Sequence, residues 1–272
     1  MSINIRVLGS TSSGNCTVIW NHSNSILVDC GFSPRYTAGN LAHHNLNLNS
    51  LSGVLITHAH SDHVNHSMLK KLVSAKVPIY CHSDVSAVLT KHYDIMLKAH
   101  ELNLLRIFQK KVFSVGDFTV RAFQVPHDSR GGCFGFNLYY PSPTGKKKIT
   151  IATDMGYPQD SLYRKFLNSD VILIESNHDT DMLDQSMRPA WLKRRIKKIG
   201  HLSNEQCAAF LEKVLSCSDK KPKAIILAHI SQECNTNTHA VQSVENMLAL
   251  NKYSEIEIVQ TYKRMMNKCI CV

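Results

Sequence analysis

The sequence predicts an α/β fold in which helices flank buried sheets, and three observations carry that reading. Short apolar runs such as "SILVD", "GVLIT" and "DVILI" are continuous, as strands buried on both faces are. Capped helical stretches lie among them, so the sheets have helices to cover their faces. No internal repeat, low-complexity tract or Pro/Gly-rich linker divides the 272 residues, which predicts one domain over residues 1–272.

Strands dominate the first two thirds of the chain. "INIRVLG", "CTVIW" and "SILVDCG" open it, and "GVLITH" and "VPIYC" follow on either side of a helix across "NHSMLKKLVSA". Met68, Leu69, Leu72 and Val73 give that helix its apolar stripe. Next come "KVFSVGDFTVRAFQV", "FGFNLYY", "KKITIATD" and "DVILIES", where the alternation in "TVRAFQV" marks a half-buried strand. A basic helix runs across "RPAWLKRRIKKIG", and "SNEQCAAFLEKVLS" opens on a capping box of Ser203 with Gln206. The strand "PKAIILAH", a helix across "HAVQSVENMLAL" and the strand "EIEIVQTY" close the chain.

A hydrophobic content of 43% is ample for a sizeable core. No apolar stretch approaches the roughly 18 residues of a membrane span, and "MSINIRVLGS" lacks the basic and long apolar regions of a secretory signal. The expectation is a cytoplasmic protein with no membrane partner. Nine cysteines without a CxxC pair fit a reducing compartment, and Cys269 and Cys271, two apart in a strand, point to opposite faces.

The formal charge of +10 is concentrated, with Arg188, Lys193, Arg194, Arg195, Lys197 and Lys198 in one short run. Such a run favours a polyanionic partner, because neutralising phosphates releases condensed counterions. Charge alone fits a solvated basic face equally well.

Chemistry concentrates in "LITHAHSDHVNH". His58, His60, Asp62 and His63 form H-x-H-x-D-H at the end of a buried strand. Strand side chains alternate and those of the following turn do not, so four ligands this close in sequence can reach two metal ions. Imidazole and carboxylate suit first-row divalent ions. His127, Asp154 and His229 each end an apolar strand, where a sheet delivers side chains to a common rim. The loop "STSSGNC" offers Ser13 and Asn15 as phosphate contacts or as a plain tight turn. Arg194, Arg195 and Lys198 offer a phosphate track, and Trp191 either stacks on a base or anchors its helix.

The order of "LVDCG", "HAHSDH", "PHD", "TD" and "AHIS" resembles the metallo-β-lactamase superfamily, nearly from end to end. "LGSTSSGN", "ESNHD", "GHLSNEQCAAF" and "ILAHIS" are similar to the bacterial WalJ/YycJ group of DNA-processing hydrolases. The resemblance implies a four-layer αββα sandwich with two metals at one edge. It implies one ion on His58, His60 and His127, a second on Asp62, His63 and His229, and Asp154 between them. Asp29 would orient a ligand or the metal-held water, giving Asp29 and Asp62 catalytic roles beside the metals. His60 stands where oxygen-reducing relatives carry glutamate, which leaves zinc or manganese.

The implied activity is phosphodiester hydrolysis by a hydroxide shared between two ions, with DNA as partner and exonuclease action. His201 resembles the extra histidine of the superfamily's nucleases, as phosphate contact or general acid. Glu175 either pairs with His201 to set its proton affinity or caps a strand end. Only 46 residues separate Asp154 from His201, too few for the domain inserted in β-CASP ribonucleases, and no tRNA-gripping arm fits between His127 and Asp154. The alternatives are an RNA-processing nuclease, a hydrolase of thioesters, lactones or cyclic phosphodiesters, and a nucleic-acid-binding protein with structural metals.

Overall fold

The apolar runs pair into two seven-stranded sheets in the computed structural model, which describes residues 2–109, 112–143 and 145–272. Lys111, the first residue of "KVFSVG", lies outside the described residues. In chain order the first sheet takes β1 (Asn4–Thr11), β2 (Gly14–Trp20), β3 (Ser25–Val28), β4 (Leu51–Leu55), β5 (Ile79–His82) and β6 (Leu105–Phe108). The second takes β7 (Val112–Val115), β8 (Phe118–Val125), β9 (Cys133–Ser142), β10 (Gly145–Ala152), β11 (Val171–Glu175), β12 (Ala224–Ala228) and β13 (Glu257–Gln260). The last strand, β14 (Ile270–Cys271), returns to pair antiparallel with β1.

Within the first sheet β3, β4, β5 and β6 run parallel, and within the second β10, β11, β12 and β13 do. Continuity of the apolar runs is explained by what each face meets. Ile26 and Val28 point into a core shared by both sheets with Phe118, Phe136 and Leu173, whereas Leu27 points to the outer helices. Val171 and Leu173 likewise face inward while Ile172 and Ile174 face out. Each of these fully buried side chains contributes roughly 1.5–3 kcal/mol of transfer free energy.

Four helices, α1 (Pro34–Ala42), α2 (His66–Ser74), α3 (Ser83–His92) and α4 (Ile95–Glu101), supply buried residues to the outer face of the first sheet. The later helices are α5 (Asp160–Phe166), α6 (Thr180–Gln185), α7 (Ala190–Arg195), α8 (Asn204–Ser216) and α9 (Asn237–Leu250). Of these, α5, α8 and α9 cover the second sheet, giving the αββα order. The capping box of Ser203 and Gln206 is formed at the start of α8, and Asn65 caps α2 by accepting from Met68 N at 3.0 Å. Among the described residues no helix is long and apolar enough to cross a membrane.

This topology fixes where chemistry can happen. Parallel strands of both sheets end at one rim, the place where open α/β sheets bind ligands. Asp29 follows β3, His58 follows β4, Asp154 follows β10, Glu175 ends β11 and His229 follows β12. Gly31 permits the exit of β3 to pass this rim, since a Cβ there would lie 1.8 Å from the Asp62 carbonyl oxygen. Asp29 and His229 turn with φ of 61° and 55°, a left-handed bend that costs a residue with a Cβ roughly 1–2 kcal/mol.

Candidate metal centre

Three imidazole nitrogens converge at one side of the rim. His58 Nε2 lies 3.0 Å from His60 Nδ1, which lies 3.3 Å from His127 Nε2. A second group faces them, with Asp62 Oδ2 lying 3.3 Å from His63 Nε2 and 3.2 Å from His229 Nε2. Asp154 sits between the groups, its Oδ2 at 3.1 Å from His63 Nε2 and its Oδ1 at 3.5 Å from His229 Nε2 and 3.8 Å from His127 Nε2. The structure thus brings together all seven side chains expected as ligands.

What holds each ring decides which nitrogen it can offer. Thr57 Oγ1 donates to the Asp29 carboxylate at 2.9–3.0 Å, so the same hydroxyl accepts from His58 Nδ1 at 3.0 Å and leaves His58 Nε2 bare. His63 donates from Nδ1 to Asp29 Oδ2 at 2.7 Å, and His127 from Nδ1 to the Gly200 carbonyl at 2.8 Å. His229 donates from Nδ1 to Glu175 Oε1 at 3.0 Å. Every one of these rings is fixed from behind with its other nitrogen turned to the centre, the arrangement that orients imidazole ligands on a metal.

Charge in the centre is one-sided. Burial favours neutral imidazole, yet the carboxylates of Asp154, Asp62 and Asp29 hold His63 well above the ordinary histidine range. Burial opposes the same rise at His229, and Asp154, Asp62 and Glu175 still push it up to about 10. Burial and the neighbouring His63 hold His58 well below the ordinary range. The carboxylates therefore demand positive charge, which protons or divalent cations can supply. Asp154 Oδ2 takes no hydrogen bond although its residue is only 1% exposed. A buried carboxylate with imidazole nitrogens within 4 Å on both sides, in a centre of excess negative charge, fits divalent cations.

Asp29 touches no converging atom directly and acts through Thr57 and His63. Asp29→Asn keeps a residue that tolerates the left-handed backbone while weakening the acceptor behind His63. Metal affinity, measured by competition with a chelating dye, is expected to fall about 10–100-fold, and unchanged affinity would show that His63 needs no support.

His201 joins the site from the start of α8. Its Nδ1 donates to Glu175 Oε1 at 2.7 Å, and its ring stacks on His229 at 5.0 Å between centroids. Its side chain is 22% exposed, with Nδ1 also 3.9 Å from Asp154 Oδ1. Glu175 is fully buried and serves both His201 and His229, while its Oε2 accepts from Met155 N and Leu202 N. Burial pushes its carboxyl up, but the charge of His201 and donated hydrogen bonds from His201 and His229 bring it below the ordinary range.

The expected substrate contacts fare differently. Asn15 is buried behind the ligands, where its amide donates to Asp62 Oδ2 at 3.1 Å and to the Thr11 carbonyl at 3.0 Å. That place makes it a holder of Asp62 and removes it from the surface a phosphate would meet. Ser13 is exposed on the turn between β1 and β2, its hydroxyl 3.0 Å from Thr11 Oγ1. The basic run forms α7 and continues as a π-helical segment, Ile196–Gly200, whose last carbonyl is the one that holds His127.

Arg195 pairs with Asp128, Lys197 with Asp184 and Arg188 with Glu233, so these cations are already engaged. Arg194 and Lys198 are exposed and form no ion pair among the described residues. Trp191 is 59% exposed and does not anchor its helix to the core.

Sequence reasoning missed Thr57, Asn177 and Ser10. Asn177 donates to the His229 carbonyl at 2.7 Å, and Ser10 Oγ accepts from His229 N at 2.8 Å. Both lie in "ESNHD" and "LGSTSSGN", stretches noticed as motifs but given no role at those positions.

Residues 24–230 match the β-lactamase superfamily domain. The chain is 31% identical over 264 residues to the exodeoxyribonuclease YycJ of Bacillus anthracis, covering 91% of this chain and 90% of that one. It is 32% identical over 251 residues to the exodeoxyribonuclease WalJ of Streptococcus pneumoniae, covering 89% and 87%. Among solved structures, the metallo-β-lactamase fold protein YhfI from Bacillus subtilis superposes with a TM-score of 0.70 over 97% of this chain and 98% of that one. At 16% identity that likeness speaks for the fold alone.

Proposed function

The chain belongs to the metallo-β-lactamase superfamily, and from that premise we propose that this metal-dependent hydrolase is an exonuclease acting on DNA with two divalent cations, zinc or manganese. One observation carries the reading: two converging donor sets share Asp154, and the part-exposed His201 lies beside them, its Nδ1 3.9 Å from Asp154 Oδ1. His58, His60 and His127 would hold one cation, Asp62, His63 and His229 the other, with Asp154 common to both. Bound there, paired cations supply Lewis-acid polarisation of a phosphoryl oxygen and activate water at neutral pH.

The chain's own groups do the rest. Asp29, Thr57, Glu175 and the Gly200 carbonyl hold the imidazoles in one tautomer, so no reorganisation is needed when charge develops on the phosphate. His201 is fixed at Nδ1 and delivers a proton from Nε2 to the leaving oxygen. The two curated relatives named as exodeoxyribonucleases and the exposed cations Arg194 and Lys198 support DNA as the substrate. A cleft without added domains or arms suits the end of a strand.

The test is incubation of the metal-loaded protein with end-labelled single- and double-stranded DNA and RNA, with zinc or manganese. Stepwise shortening of DNA is expected, cleavage of RNA alone would move the assignment to RNA processing, and no cleavage of any polymer rejects it. Reversing charge with Arg194→Glu and Lys198→Glu is expected to flatten the salt dependence of DNA binding by about 2 in log–log slope. A small-molecule hydrolase would not feel that change.

A further inference from the structure

Beside the metal centre on the same rim lies a second cavity of about 580 Å³. His82 ends β5 and is paired in register with Phe108, which ends β6, the two strands that follow β4 in the first sheet. Phe123 of β8 and Phe134 of β9 face them from the second sheet. Phe134 N donates to the Thr57 carbonyl at 3.0 Å, and its neighbour Cys133 puts Sγ 3.7 Å from His58 Nδ1. Cavity and metal centre thus share one wall. Gly131 and Gly132, both at φ 81°, carry that wall between His127 and Cys133. A Cβ on Gly131 would lie 2.7 Å from the Asp84 carbonyl oxygen, so only glycine lets the loop press against the start of α3.

The lining is unlike that of a packing gap. Flat rings form its interior, His82 stacking on Phe134 at 4.4 Å and 24°, and Phe108 meeting Phe134 edge-on at 5.9 Å. Arg121 and Lys165 form the cationic part of the lining and have no ion pair among the described residues. Burial, and then the charge of Arg121, push the neighbouring Lys148 ammonium down to about 8, so positive charge is crowded on this side. Gln124 and Asp84 add polar groups to the lining.

We infer that this cavity is a nucleotide subsite, taking an unstacked base against the rings of Phe108, Phe134 and His82 and its phosphate on Arg121 and Lys165. An aromatic floor accepts the face of any base, and two cations fit a phosphate. Within the nuclease reading on which it rests, the subsite grips a nucleotide of the substrate strand next to the bond being cut. Asp84 and Gln124 then favour bases with an exocyclic amine.

Titration calorimetry of the metal-loaded protein with deoxyadenosine 5′-monophosphate, deoxyadenosine and inorganic phosphate tests this. The nucleotide is expected to bind at least tenfold more tightly than either fragment. Arg121→Glu with Lys165→Glu, and separately Gln124→Trp, which fills the cavity, are each expected to weaken the nucleotide tenfold or more. Unaltered melting curves would show that the variants fold. Nucleotide binding that is equal in the variants, or no tighter than that of phosphate, overturns the subsite. A protein that binds the nucleotide in this way but cuts no polymer keeps the subsite and loses the exonuclease reading. DNA cleavage with unaltered nucleotide binding in the variants does the reverse.

Discussion

Under the proposed function, Asp154→Asn is expected to leave a folded protein that binds less metal and hydrolyses DNA at least about 10³-fold more slowly. The carboxylate is within reach of both donor sets, its Oδ2 at 3.1 Å from His63 Nε2 and its Oδ1 at 3.5 Å from His229 Nε2 and 3.8 Å from His127 Nε2. Asparagine keeps the shape and one acceptor but removes the charge. A metal ion supplies several kcal/mol of transition-state stabilisation, and about 4 kcal/mol corresponds to three decades in rate.

Burial pushes the Asp154 carboxyl up, yet the charges of His229, His63 and His58 hold it well below the ordinary range. A carboxyl so depressed contributes stability above about pH 4 and loses it as acid protonates the folded state. It is therefore ionised throughout neutral pH, and the loss of rate should be the same from about pH 6 to 9. Elemental analysis after dialysis, with single-turnover rates, provides the measurement. Chelation should lower the melting temperature of the parent protein more than that of the variant, because a tightly bound ion stabilises the folded state by mass action. Full activity in the variant, or an unchanged metal content, would mean that Asp154 is not shared.

How much of this was legible in the sequence depends on whether position along the chain already implied position in space. The convergence of H-x-H-x-D-H was readable because four side chains in one turn cannot lie far apart, and that of His127, Asp154 and His229 because each ends an apolar strand. Thr57 was not, although it precedes His58. Its role comes from Asp29, which stands 28 residues earlier and meets it only when β3 and β4 pair. The Gly200 carbonyl that fixes His127 carries no side-chain signal at all.

Helices were legible where their stripe was long, as in α2, α8 and α9, and missed where they were short or mixed. The missed helices are α1 and α3 to α6: α4, α5 and α6 have seven, seven and six residues and bury two or fewer each, and α1 and α3, of nine and ten residues, bury two and three. Their helicity comes from packing on the sheets, since a turn or two has little stability of its own. The basic segment reads as one helix, but its change to π-helical winding at Ile196 leaves no mark in composition. Its sequence also conceals that Arg195 is spent on Asp128, which sits beside His127.

Glu175→Gln is expected to damage metal binding and proton transfer together, because one carboxylate serves both histidines. Oε1 receives Nδ1–H from His201 at 2.7 Å and from His229 at 3.0 Å, while Oε2 accepts from Met155 N at 2.9 Å and Leu202 N at 3.1 Å. Glutamine has one oxygen and one amide nitrogen for these four donors. Whichever way it sits, two of them face an NH₂, at a cost of about 1–3 kcal/mol in stability. If the oxygen stays with the backbone, both imidazoles lose their acceptor, and metal affinity should fall about 10–100-fold.

His201→Ala removes only the proton donor, so it should lower kcat about 10²–10⁴-fold with the metal content intact. The double variant separates the roles. If Glu175 acts on proton transfer through His201, adding Glu175→Gln to His201→Ala should cost little further kcat at saturating metal, far less than the product of the single losses. Multiplying losses would assign Glu175 to His229 alone, and a metal content that falls in His201→Ala would make that histidine a ligand in place of an acid.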